Sequence, residues 1–312
     1  MKVVFSRKGF DTTYGGTPSP ILPDGTMISV PIPADKNYGP PYSDLQYFDS
    51  RTKRQNSFLQ LMKSLGKNQY KYQKRKYTFS KSRAHLDPDL RQESLGLRTR
   101  QSQDWRGTIG INGDFAEGFR HEGIGKNDLF LFFGWFQRTK LDGKAGIRWD
   151  CEDEAGQKKH VLFGYLQIDR KLDVDKTDSD QIPPWLNNHP HIRAKGDPDY
   201  SPNVMYIARK ELKLDRRMDR KIPGWGTFRY DQKAEETEKV RLTLTKPGYS
   251  MSRWDLPFPK TVHPRRLSKI SHIPKWRAGY FKSPCIGQEF SFDENNSVRK
   301  WAEDLICKYA HL

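Results

Sequence analysis

Two cations and a carboxylate stand close together near the start of the chain, in Ser6-Arg7-Lys8-Gly9-Phe10-Asp11. Groups of these types bind phosphate, stabilise negative charge that develops in a reaction, and supply an acid or base. Arg7 and Lys8 suit the first two tasks and Asp11 the third. Lys8 as a Schiff-base nucleophile would require a depressed pKa. Gly15 and Gly16 follow, and glycines let backbone N–H groups approach a ligand closely. Read without the rest of the chain, the segment fits a plain strand-ending turn at least as well as a site.

A second group is His85-Leu-Asp-Pro-Asp89. An imidazole beside two carboxylates can bind a divalent cation or assist acid–base chemistry, with Asp87 or Asp89 supporting Asp11. The same residues form a turn if the aspartates cap a following helix. A third group is His189-Pro-His191, whose rings share one face if the backbone is extended. A metal there needs further ligands, with His85, Asp87 and Asp89 as conceivable donors. Nothing in the sequence brings these stretches together, so a loop of hydrogen-bonded histidines is the reading adopted, with no metal and no cofactor assigned. Gln288 and Glu289 add two polar candidates. Asp114 and Glu117 read as loop acids. Cys151, Cys285 and Cys307 fit neither a metal-ligand spacing nor a disulfide framework, and read as packing residues in a reducing cytoplasm.

These groups need elements to hold them. Val3-Val4-Phe5 reads as a buried strand leading into the first group. Met27–Val30 reads as a short strand closed by Pro31 and Pro33, and 58–66 as a helix with a glycine stop. Residues 129–136 and 160–168 read as buried strands, each with a glycine among aromatics, suggesting a small curved barrel. In that reading Trp135 and Tyr165 line a base-sized pocket. Residues 203–212 begin as a strand, Arg241–Thr245 alternates like one, and a C-terminal helix starts near Asn295 with Val298, Trp301, Ala302, Leu305 and Tyr309 on one stripe. The expected class is α+β, a mixed or antiparallel sheet with that barrel and helix, in one domain over 1–312.

The chain carries 55 Lys and Arg against 38 Asp and Glu, a net charge of +17. Such an excess favours polyanions, nucleic acid above all. It is concentrated in 63–83, which holds Lys63, Lys67, Lys71, Lys74, Arg75, Lys76, Lys81 and Arg83 and no acid, with Tyr70, Tyr72, Tyr77 and Phe79 interleaved. Basic groups track phosphates and rings stack on exposed bases, so Lys71, Lys74, Arg75, Lys76, Tyr77, Lys81 and Arg83 are the nucleic-acid contact set. Residues 260–282 form a second basic stretch. No long apolar run, signal peptide or basic amphipathic anchor is present, which points to a soluble cytoplasmic protein. No P-loop or dinucleotide fingerprint occurs, which disfavours a nucleotide-driven motor or a Rossmann enzyme.

The blocks Phe5–Asp11 with Gly15-Gly16 and Pro18–Ile21, His85–Asp89, Asp128–Phe136, His160–Gln167, His189–His191 and Gln288–Phe290 occur in one order across nearly the whole chain. Together they resemble the third class of nucleotide-modification-associated domains, a bacterial and phage group named for association with DNA-base modification systems. The resemblance implies a nucleic-acid-directed protein, on DNA rather than RNA, that modifies, removes or processes a modified base, alongside other DNA-modification proteins. It leaves the reaction open. Set against it, 63–83 and about 213–240 read as basic and charged insertions. A fold-level likeness to barrels of the pseudouridine-synthase-archaeosine-transglycosylase (PUA) type implies an aromatic cage for an extruded base. A non-enzymatic reader with such a cage, or a basic accessory subunit, are the alternatives. The enzyme reading requires Arg7, Lys8, Asp11 and His85–Asp89 to meet in one cleft.

Overall fold

A computed structural model describes all residues except 35, 73–74, 96–103, 144–145, 152–156, 215–220, 270–271, 285–288 and 311–312. Lys74, Gln288 and Cys285 lie outside the described residues.

The molecule is α+β and is built on one ten-stranded mixed sheet. Its strands run side by side in the order Pro264–Arg266, Glu289–Phe292, Val3–Arg7, Leu129–Asp142, Lys159–Asp173, Asn203–Ala208 and Thr108–Asn112. Ser19–Ile21 and Gly146–Trp149 pair with Leu129–Asp142, and Trp225–Thr227 pairs with Lys159–Asp173. Val3–Arg7 is parallel to Leu129–Asp142 and antiparallel to Glu289–Phe292. Among the described residues the sheet stays open and no closed barrel forms.

The two apolar runs form the long central strands because both sheet faces are covered there. Every residue from Leu129 to Gln137 is buried. The curvature expected from the glycines takes the form of local accommodation. The register between these strands shifts at Leu162/Gly164. A Cβ at Gly164 would stand 2.6 Å from Leu90 and 2.8 Å from the Gly226 carbonyl. One at Gly134 would stand 2.9 Å from the Lys8 carbonyl oxygen. Gly134 thus lets the chain pass close over the sheet where Lys8 leaves it.

On one face, the C-terminal helix Asn296–Tyr309 packs its Trp301 ring over Phe5, 5.9 Å between centroids, and Phe5 stacks on Phe290 at 5.1 Å. Asn295 caps this helix by accepting from the Ser297 and Val298 amides. The other expected helix is Phe58–Ser64, closed by a Ser57/Gln60 capping box and followed by Gly66 at φ +70°. It belongs to a second apolar core with Phe10, Tyr42, Tyr70 and Phe79. Met27–Val30 and 241–245 make bridges and single hydrogen bonds rather than full strands. The glycine-rich stretch after Thr108 contains the helix Gly113–His121, which the sequence pattern does not announce. Cys151 is exposed rather than packed. No helix of the described residues is long and apolar enough to cross a membrane.

Candidate functional site

Strand alternation sets the site. Ser6 lies opposite Glu289 in the register, while Phe5 lies opposite Phe290. Successive side chains point to opposite faces, so the two phenylalanines go to the helix-covered face and Ser6 and Glu289 to the other. There the Ser6 hydroxyl donates to Glu289 Oε1 at 3.1 Å. Past Arg7 the chain makes one last sheet bond, Lys8 N–H to Phe133 O at 2.8 Å, and turns at Gly9 with φ +79°. That turn projects Lys8 along the floor of a cleft of about 720 Å³.

The cleft gathers residues from distant parts of the chain. Arg7, Lys8, Asp11, His85, Asp87, His191 and Glu289 line it, with Tyr14, Tyr72, Phe115 and Tyr200 as its rings. Lys8 Nζ lies 3.5 Å from Asp87 Oδ2 and 3.5 Å from Glu289 Oε1. Burial opposes the charged form of Lys8, but the two carboxylates overcome it and raise its pKa above the ordinary value. A lysine held protonated in this way is a poor amine nucleophile, which counts against the Schiff-base reading of Lys8. Burial likewise opposes ionisation of Asp87. Lys8 and the neighbouring imidazoles override that and hold its carboxyl well below the usual range. Asp87 Oδ1 accepts the Gly110 N–H at 2.7 Å and stands 3.4 Å from His189 Nε2.

The histidines are ordered by a chain of bonds. The His191 amide donates to His189 Nδ1 at 3.3 Å, so Nδ1 is the accepting nitrogen and Nε2, the nitrogen left to carry a proton, faces Asp87. Asn203 donates through Nδ2 to the His191 carbonyl at 2.9 Å, which aims its Oδ1 at His191 Nδ1, 2.8 Å away. His191 therefore carries its proton on Nδ1 and leaves Nε2 with a lone pair. Burial above all, reinforced by His85 and His189, pushes the His191 pKa down to about 3. The His85 ring meets His191 edge-on, 5.3 Å between centroids.

Asp11 lines the cleft, yet its Oδ1 accepts the Thr13 and Tyr14 amides at 2.6 and 2.5 Å, and Oδ2 lies 3.6 Å from Arg7. Its geometry is that of a loop holder that steadies Arg7. Gly15 and Gly16 lie in the turn it closes, and Gly15 exchanges backbone bonds with Lys71. Asp89 is buried, with its backbone paired to Thr108, and does not line the cleft. His189 sits behind the cleft wall against Asp87. Trp135 and Tyr165 are core residues. Tyr165 stacks on Phe228 and donates to the Pro223 carbonyl, and Trp135 is buried beneath Lys158. Asp114 binds Ser268 and the Lys269 amide, a structural role.

The basic stretch forms a hairpin, Gln69–Tyr72 with Arg75–Thr78, that adjoins the cleft through Tyr72. Tyr70 and Phe79 are buried in the second core, Tyr72 reaches the cleft and stands 5.3 Å from Tyr14, and Tyr77 is exposed. Lys71, Arg75, Lys76 and Lys81 are exposed, while Arg83 donates to the Gly39 carbonyl.

Two residues with no signal in the sequence complete the site. A Cβ at Gly110 would fall 2.2 Å from the His191 ring, so only glycine leaves room for that histidine. Asn203 sets its tautomer. Neither stands out locally, because each acts on a ring far along the chain.

An open mixed sheet thus carries a cleft lined by two cations, histidines and carboxylates, beside a basic hairpin. The sequence model of nucleotide modification associated domain 3 matches residues 2–293, and the chain belongs to that family. No curated protein and no solved structure matches significantly.

Proposed function

We propose that the cleft is the active site of an enzyme that modifies, removes or processes a base in DNA. The observation that carries this reading is the convergence of Arg7, Lys8, Asp11, His85, Asp87 and Glu289 on one cleft. Its volume is in the range that holds a small ligand such as a nucleotide. Lys8 supplies a fixed positive charge for phosphate or for negative charge that develops in the reaction, with Arg7 beside it. Glu289 is the acid–base group, Asp87 fixes the Lys8 ammonium in the cleft, and Tyr14 and Tyr72 offer faces on which an extruded base can stack. The hairpin of Lys71, Arg75 and Lys76 holds the phosphate backbone across the mouth. A reader using Trp135 and Tyr165 as its cage is disfavoured, because both rings are packed inside.

The test is mass spectrometry of nucleosides from DNA incubated with the wild-type protein and with Asp87→Asn. DNA from the family's modification context and unmodified DNA serve as parallel substrates. The expected result is a changed nucleoside with wild type and at least a hundred-fold less with the variant. Equal conversion by both proteins would sink the assignment.

A further inference from the structure

We infer that His85, Asp87 and His191 form a binding site for one divalent first-row transition ion at the base of the cleft. Each offers a ligand atom, and these atoms lie within 4.8 Å of one another. A bound ion with bonds of about 2.0–2.2 Å draws its ligand atoms to about 3–4 Å apart, a change within reach of small side-chain rotations. The inference rests on the cleft being the functional site and adds the cofactor class that the cleft would take.

Three independent features prepare the site. The first is the orientation of His191. Asn203 holds the proton on Nδ1, so the lone pair on Nε2 is available for an ion. A metal-binding imidazole commonly donates its other N–H to an oxygen in this way. The second is the support of Asp87. Its Oδ1 is held by the Gly110 amide and faces His189 Nε2, the outer-shell arrangement of a ligating carboxylate. Its Oδ2 faces Lys8 at 3.5 Å, longer than the about 2.7–2.9 Å of a tight charge-assisted bond. An ion at Oδ2 leaves Lys8 its second partner, Glu289. The third is charge. Asp87 and Glu289 share one ammonium, which leaves one negative charge in excess where the ion would sit.

Ligand chemistry selects the ion. Two imidazoles and one carboxylate suit Zn²⁺, Mn²⁺ or Fe²⁺ rather than Mg²⁺ or Ca²⁺, which prefer all-oxygen sets. Three protein ligands leave coordination positions open toward the cleft, for water or for an oxygen of the nucleotide.

Calorimetric titration of chelator-stripped protein with Zn²⁺ and, separately, Mn²⁺ tests this. One equivalent is expected to bind for at least one of the two ions. His85→Ala and His191→Gln should each weaken it at least ten-fold. Asn203→Ala, which alters a positioning residue, should weaken it about 10–100-fold. It should also shift the visible absorption of Co²⁺ bound in place of the native ion. Lys8→Met should tighten binding, since it removes a competing cation. His85 is only half-buried, so its variant is expected to keep the fold, which circular dichroism checks. No stoichiometric binding of either ion, or wild-type affinity in both histidine variants, would overturn the inference. Base conversion by protein that binds no ion would overturn the metal site while leaving the proposed function intact. Ion binding through these residues without base conversion would uphold the site and count against the function.

Discussion

Lys8 is held between two carboxylates, and Asp87 between a cation, an amide and an imidazole. Such groups are costly to bury and keep their charge only as a set, so removing one member strands the others. A second consequence concerns histidines kept neutral inside. Burial, with Arg7 nearby, pushes His160 well below its ordinary pKa, and His191 is pushed down to about 3. In the unfolded chain both take up a proton near pH 6.5. Below that pH the unfolded state binds more protons, for His191 down to about pH 3, so stability falls as pH falls, by up to about 1.4 kcal/mol per pH unit for each group. Urea denaturation of metal-free protein from pH 7 to pH 4 should show this loss. His160→Phe should make the slope shallower, and an unchanged slope would refute the cause given. At this scale much was legible. Lys8, Asp87, His191 and Glu289 stand out in sequence because charged and imidazole side chains cluster beside strand ends. The division of labour was not legible. Asp11 is taken up by the Thr13 and Tyr14 amides and Arg7, while Asp87 is buried against Lys8 and His189, and no local pattern separates the two.

The elements explain what local pattern could not. The two long strands were visible as apolar runs, and the C-terminal helix as a stripe. A glycine–aromatic step, however, looks the same whether it bends a barrel or lets another chain pass. Here Gly134 lies under Lys8, and Trp135 and Tyr165 are covered on both sides. Gly110 gives the sharpest test at this scale. Its strand is paired through Met205 opposite it, and a methyl group there would collide with the His191 ring. Gly110→Ala should cost about 1–3 kcal/mol in denaturation experiments, the usual range for overpacking. It should also displace His191 and so reduce ion affinity and base conversion. A variant with unchanged stability and unchanged ion binding would show that the glycine is not needed for space.

At the scale of the molecule, the cleft lies between the large sheet and the second core, and the basic hairpin extends from that core. The net charge of +17 and its concentration in 63–83 made a polyanion partner at that stretch the expectation from sequence. The fold puts exposed Lys71, Arg75 and Lys76 within one hairpin of the cleft, tied to the Asp11 turn through Gly15. In the proposed function, chemistry and grip are therefore separable. The measurement that tests this account most directly is base conversion against DNA concentration, in low salt, for three proteins. Wild type should convert the base. Asp87→Asn should bind DNA as tightly and convert at least a hundred-fold less at saturation. The Lys71→Ala/Arg75→Ala/Lys76→Ala protein should need more DNA and show a weaker salt dependence, its slope smaller by about 0.9 for each duplex phosphate it no longer neutralises. At saturation it should approach the wild-type rate. Wild-type conversion by Asp87→Asn, or a hairpin variant that binds normally, would contradict the account.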